Sequence, residues 1–239
     1  MNNIRVSVAM ATYNGEKYIK EQINSILINL EQNDELIISD DGSKDNTRNI
    51  IQNIQMNDSR VKLFDGPKKG VKQNFANAIE KCNGKYIFLA DQDDVWIDDK
   101  VKKVLKIFEE KGATLVIHNC EIVNEKLEKT DKTFFEFRNS GKGIIKNIWK
   151  NTYIGCCMAF KSEIKDKILP IPNDIEMHDQ WIGIINEKYG KSYFLDECLI
   201  KYRRHGNNVS KMKHYGLWKM IKNRIVFLYR FISMENNRC

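Results

Sequence analysis

Five short apolar runs, Ile4–Ala11, Glu35–Ser39, Val61–Phe64, Lys85–Ala90 and Thr114–Ile117, alternate with segments whose apolar residues recur at helical spacing. Strands and amphipathic helices in strict alternation build a largely parallel sheet with helices on its faces. The helices are marked by Ile19, Ile23, Ile26, Leu27 and Leu30; by a run from Ser43 to Ile54; by Val71, Phe75, Ala78, Ile79 and Cys82; and by Val101, Val104, Leu105 and Phe108. Ser43 is expected to cap the second helix, with Asp45 favouring its positive N-terminus, and Gly112 to stop the fourth. The expected class is α/β, with a mostly parallel central sheet and flanking helices. After about Glu121 the pattern loosens, as it does where a substrate-binding half is built on a scaffold. In sheets of this kind ligands bind at the carboxyl ends of the strands. Three polar motifs, Thr12-Tyr13-Asn14, Asp40-Asp41-Gly42-Ser43 and Asp91-Gln92-Asp93-Asp94, each directly follow an apolar run. They are expected to meet at one rim.

With 239 residues the chain has room for one large domain, or one with an appendage. The six cysteines, at 82, 120, 156, 157, 198 and 239, form no CxxC pair and no spaced Cys/His quartet. A zinc site or a disulfide framework is not indicated, and a reducing compartment fits better. Met1–Arg5 leads straight into an apolar run too short for a secretory core, and no apolar stretch is long enough to span a bilayer. The cytoplasm is the expected location. The net charge of +7 is uneven: Lys211–Cys239 carries seven basic residues against Glu235 alone, which leaves +1 for Met1–Ser210. A nearly neutral body disfavours a nucleic-acid groove.

Three carboxylates within Asp91-Gln92-Asp93-Asp94 repel one another unless something positive sits among them. A divalent cation that prefers oxygen ligands, Mg²⁺ or Mn²⁺, is the natural partner, and such ions keep positions open for substrate phosphates. A solvated acidic loop is the alternative, but the flanking FLA and VW bury both sides. Asp40 or Asp41 can accept the imide N–H of uracil or thymine, and Gly42 lets the backbone turn closely; a plain turn with a helix cap is the other reading. Tyr13 stacks on a base or sits as an aromatic at the core edge.

Together ATYNGEKYI, IISDDGSKDNT, GKYIFLADQDDVW, YIGCCMAF, MHDQW and YRRHGNN resemble the family-2 glycosyltransferases with the GT-A fold, over roughly residues 4–210. The bacterial rhamnosyltransferases and the capsular and O-antigen sugar transferases are similar in character. The resemblance implies that Thr12, Tyr13, Asn14, Asp40, Asp41, Gly42, Asp91 and Arg204 bind a nucleotide-sugar, with UDP and dTDP both open as the carrier. It implies that Asp91 and Asp93 hold the metal, with His205 completing the site; Arg203 and Arg204 nearby can pair with diphosphate oxygens, or the segment is an exposed basic loop. Asp179 is the implied catalytic base of an inverting transfer, while Gly155, His178 and Trp181 face the acceptor. On residues alone, HDQW reads as a helix start, with Asp179 favourable in the first turn. Cys156 and Cys157 read as packed thiols. Where some relatives carry a serine-aspartate pair, this chain has His118-Asn119-Cys120, so His118 touches substrate or packs. The QxxRW motif of processive enzymes is absent, so a single addition is expected.

These readings divide the chain into a GT-A domain over 1–210, with a nucleotide-sugar half over 1–120 and an acceptor half over 121–210, and a tail over 211–239. In the tail, Leu217, Ile221, Ile225, Leu228 and Ile232 recur at helical spacing among basic residues. Such a helix lies on an anionic leaflet, where lipid-linked glycan acceptors reside, or packs on the domain with a solvated cationic face. The expected enzyme builds cell-surface polysaccharide, peripheral on the inner face of the membrane. A sugar-phosphate nucleotidyltransferase would need a Gly-rich, Arg-bearing loop that ATYNGEKYI lacks. A glycan-binding module would have no need to keep Asp91, Asp93 and Asp179 together.

Overall fold

A computed structural model describes residues 4–206, 208 and 216–236. Its first half follows the expected alternation: β1 (Val6–Thr12), α1 (Ile19–Leu27), β2 (Glu35–Asp40), α2 (Thr47–Asn57), β3 (Val61–Asp65), α3 (Val71–Lys81) and β4 (Tyr86–Ala90). β1, β2 and β4 are buried along their whole length, as strands covered on both faces must be. α1 turns Ile19, Ile23 and Ile26 inward, and α3 packs Phe75, Ala78 and Ile79 against β1 and β2.

The second half runs β5 (Val95–Trp96), α4 (Lys100–Lys111), β6 (Leu115–Val123), β7 (Lys129–Thr133), α5 (Phe134–Arg138), α6 (Ile144–Trp149), β8 (Met158–Lys161), α7 (Lys165–Ile168), α8 (His178–Tyr189), β9 (Ser192–Arg203) and α9 (Leu217–Asn236). One sheet of order β3-β2-β1-β4-β8-β6-β9-β5 joins both halves, with β7 branching from β6. β3, β2, β1 and β4 are parallel, as are β6 and β9. β8 runs antiparallel to both β4 and β6, so the sheet is mixed where the sequence reads as mostly parallel. The expected border at residue 120 falls inside β6.

Ser43 does not cap α2, which starts four residues later. Its hydroxyl instead donates to Asp40 Oδ2, because the buried carboxylate is the stronger acceptor. No helix among the described residues is long and apolar enough to cross a membrane. Of the tail, Lys211, Lys213 and Arg238, together with the border at residue 210, lie outside the described residues.

Candidate active site

Parallel pairing sets the level of the rim. Thr12 stands opposite Asp40 in the β1/β2 register, and Met10 opposite Ala90 in the β1/β4 register, so the three polar motifs leave the sheet side by side. Side chains then stitch them together. Thr12 Oγ1 donates to Asp40 Oδ2 (3.0 Å), the Asn14 amide to Ser43 Oγ (2.9 Å), and the Lys44 amide to Asn14 Oδ1 (2.8 Å). Gln92 clamps Tyr13 from both sides, accepting from its amide (2.8 Å) and donating to its carbonyl (3.1 Å). The Tyr13 ring is left 52% exposed at the lip, available for stacking.

Asp40 is held by donors of the protein itself. It is almost fully buried and accepts from the Gly42 and Ser43 amides, the Thr12 and Ser43 hydroxyls and Arg48 Nη1. Burial alone would raise its carboxyl, but these donors outweigh it and hold the group below the usual carboxylate range. A carboxylate so occupied shapes the loop. Asp41 accepts from the Lys68 (2.6 Å) and Gly70 (2.7 Å) amides, which fastens the neighbouring loop. Gly42 makes the intervening turn at φ +91°, a conformation that suits glycine. A cleft of about 360 Å³ opens beside it, lined by Asp40, Gly42, Ser43, Arg48, Asp65, Gly66 and Lys68.

The second face of the rim is acidic. Burial, and then the charges of Asp93 and Asp179, push the Asp91 carboxyl up to about 7. Asp93 Oδ2 lies 2.7 Å from His205 Nε2 and accepts from Asn208 Nδ2 (3.2 Å). Asp94 is fully buried; its Oδ1 accepts the Arg203 amide (3.0 Å) while Oδ2 has no partner, and burial with Asp93 and Asp91 raises it well above its ordinary value. Asp91, Asp94 and Cys156 bring potential donor atoms within 4.8 Å of one another. Buried carboxylates in mutual repulsion, one with an orphaned oxygen, beside an imidazole fit a divalent cation such as Mn²⁺ or Mg²⁺. Burial lifts the Cys156 and Cys157 thiols well above their usual range, so they stay protonated and are packed thiols, as the sequence suggests.

Arg203 is not free for a diphosphate. Its Nε donates to the Asp93 carbonyl (2.8 Å), Nη1 to the Glu125 carbonyl (2.9 Å) and Nη2 to Glu21, so it locks the acidic loop to α1 and β9. Five fixed donors suit the guanidinium to this bracing task. Arg204 is partly exposed beside it, with Nη1 on the Tyr202 hydroxyl (3.0 Å).

Asp179 stands in the first turn of α8, near enough to Asp91 for their charges to interact. It accepts from the Gln180 amide (2.6 Å) and Asn151 Nδ2 (3.0 Å), and burial lifts it to about 6 despite these donors. Gly155 supports it from below: a Cβ there would lie 2.8 Å from His178 Nε2 and 3.6 Å from Asp179 Cβ. The backbone approach thus serves α8 itself. His178 and Trp181, expected to face the acceptor, are both buried. His178 stacks on Phe75 at 4.2 Å, and burial keeps it neutral, at about 3; Trp181 donates its indole N–H to the Ile168 carbonyl (2.8 Å) and meets Phe227 edge-on. α8 is buried around its first nine residues, so both rings point into core. His118 also packs, with Nδ1 2.7 Å from the Asn119 carbonyl.

Sequence reasoning missed Gln92, Asn151 and Lys100. Lys100 is wholly buried, its Nζ 3.6 Å above the Trp96 ring and 3.3 Å from the Cys156 carbonyl, and burial lowers it to about 8. No local pattern marks these residues, because each acts on a segment far away in the chain.

A family model described as glycosyl transferase family 2 matches residues 7–169. The chain belongs to that family. It is 31% identical over 218 residues to the dTDP-rhamnosyl transferase RfbG of Shigella flexneri, covering 83% of this chain and 72% of that one. It is 27% identical over 247 residues to WfgD of Escherichia coli, a UDP-Glc:α-D-GlcNAc-diphosphoundecaprenol β-1,3-glucosyltransferase, covering 97% and 94%. Among solved structures it is similar to S. aureus TarS 1–349 in complex with UDP-GlcNAc, with a TM-score of 0.72 and 16% identity over 93% of this chain and 66% of that one. The fold is GT-A, and this family-2 member is a glycosyltransferase. That sets aside the nucleotidyltransferase and the binding module, which the sequence kept as alternatives.

Proposed function

We propose that this glycosyltransferase is inverting and divalent-metal-dependent, and moves a sugar from a UDP- or dTDP-sugar to a lipid-linked glycan in cell-surface polysaccharide assembly, capsule or O-antigen. RfbG, a dTDP-rhamnosyl transferase, and WfgD, a UDP-Glc glucosyltransferase with a diphosphoundecaprenol-bearing acceptor, support the donor and acceptor classes. In this reading the enzyme works in the cytoplasm, peripheral to the inner face of the membrane.

One observation carries the reading: Asp179, at about 6, stands within electrostatic reach of Asp91, beside Asp93 paired with His205. Asp91, Asp93 and His205 would hold Mn²⁺ or Mg²⁺, whose charge offsets that developing on the departing nucleoside diphosphate. Tyr13 offers its exposed ring to the base, with Thr12, Asn14, Asp41 and Gly42 fixing the walls of that subsite, and Arg204 lies at the diphosphate end. Asp179 takes the proton of the acceptor hydroxyl as its oxygen bonds to the anomeric carbon and the bond to diphosphate breaks, inverting the centre. A base near 6 is ionised at neutral pH yet still basic enough to accept that proton. Gly155 and Asn151 keep its carboxylate aimed. Asp179→Asn should cut transfer about 10²–10⁴-fold, the usual range for a general base, while leaving donor binding intact. Unchanged turnover would remove Asp179 from this role.

A further inference from the structure

α9 has two apolar faces, and only one is used by the fold. Phe227 is buried against Trp181, with Phe231 stacked behind it. On the other side Leu228, Ile221, Ile232, Ile225, Trp218 and Tyr229 are all exposed, from 38% at Ile221 to 85% at Trp218. At 3.6 residues per turn they fill one uninterrupted arc of roughly 100°. A helix that only packs on a domain would present charge there.

The arc continues onto α6. Arg224 donates through Nε (3.0 Å) and Nη2 (2.7 Å) to the Trp149 carbonyl and lies 4.2 Å over the Trp149 ring. Trp149 and Ile145 are themselves 68% and 85% exposed. Exposed Lys222 borders this arc on α9, and exposed Lys150 directly follows α6. The acidic side chains that touch α9, Asp174 through Arg230 and Glu176 through Asn223, do so from the opposite side of the helix.

We propose that this face of α9 and α6 docks the enzyme onto an anionic lipid leaflet. Tryptophan and aliphatic side chains framed by lysines suit the headgroup boundary, where apolar burial and attraction to anionic lipid add together. A second copy is a poorer occupant, because a self-complementary contact would set Lys222 and Lys150 of one copy against those of the other. The placement also suits delivery of a lipid-borne acceptor. Trp149 is followed at once by Lys150 and Asn151, and Asn151 holds Asp179, so the docking face adjoins the proposed base. That use rests on the lipid-linked acceptor reading; the docking itself does not.

The test uses the full chain and vesicles of phosphatidylcholine with and without phosphatidylglycerol. Trp149 and Trp218 are exposed while Trp96 and Trp181 are buried, so a blue shift of tryptophan emission reports this face. The parent should float with phosphatidylglycerol vesicles and shift its emission. Ile225→Glu with Ile232→Glu should weaken flotation about tenfold or more, with thermal midpoint and diphosphate binding unchanged. A parent that stays in solution, a variant that floats equally well, or a dimer in sedimentation velocity that the variant dissolves would overturn the proposal. Diphosphate binding without flotation rejects the docking face alone; flotation without diphosphate binding rejects the donor reading alone.

Discussion

Asp179 carries its raised carboxyl because the first turn of a buried helix removes it from water, and two donors only partly compensate. Transfer requires it ionised, so the rate should rise with pH through about 6 and level off above. Asn151→Ala removes a donor that favours the ionised form, so this acidic limb should move to higher pH; an unmoved limb in the pH–rate profile would contradict the assignment. The same group costs stability. Its folded value lies above the unfolded one, so protonation favours the fold below the unfolded value, and that gain is lost as pH rises through about 6. Asp179→Asn should therefore stabilise the protein by about 1–2 kcal/mol at pH 8 and by almost nothing at pH 4, read from denaturant melts at both. Equal stability of mutant and parent at pH 8 would count against a buried ionised carboxylate. Motif carboxylates were legible in the sequence because strand ends are marked by apolar runs. Asn151 was not, since it reaches Asp179 across 28 residues. Arg203 was misread as a phosphate ligand because a sequence shows its charge but not the carbonyls and carboxylate that already occupy it.

At the scale of elements, the first four strands and helices were readable because each helix keeps one solvated face. Of α8 only the start was readable, in HDQW: buried almost all round, it lacks the stripe that marks a helix, and the burial of His178 and Trp181 was not legible. β8 is only four residues long and wedged antiparallel between β4 and β6, too short for its own pattern. The 3₁₀ turn Gly155–Cys157 that leads into β8 holds the start of α8 in place. Gly155→Ala would push against His178, which is stacked on Phe75 and has little room to yield. The expected cost is about 1–3 kcal/mol of stability, with transfer falling further than donor binding because Asp179 moves with the helix. A variant with parental transfer kinetics would show that α8 tolerates the displacement.

Over the whole molecule, a mixed sheet brings the acidic rim motif of the first half within electrostatic reach of the Asp179 helix of the second, and α9 packs on that helix through Phe227 and Trp181. Charge was legible at this scale as an amount and a position, but the sequence left open whether the tail lies on lipid or packs on the domain. The structure gives α9 a packed face and an exposed apolar one. The central claim, a metal-assisted pyrimidine diphosphate site among Asp91, Asp93 and His205, is tested most directly by calorimetric titration of the protein with UDP, dTDP, GDP and ADP, first with Mn²⁺ and then with EDTA. The account predicts binding of UDP or dTDP that depends on Mn²⁺, disappears with EDTA and is lost in Asp93→Asn. A folded protein that binds none of the four diphosphates, or binds them equally well in EDTA, would contradict it.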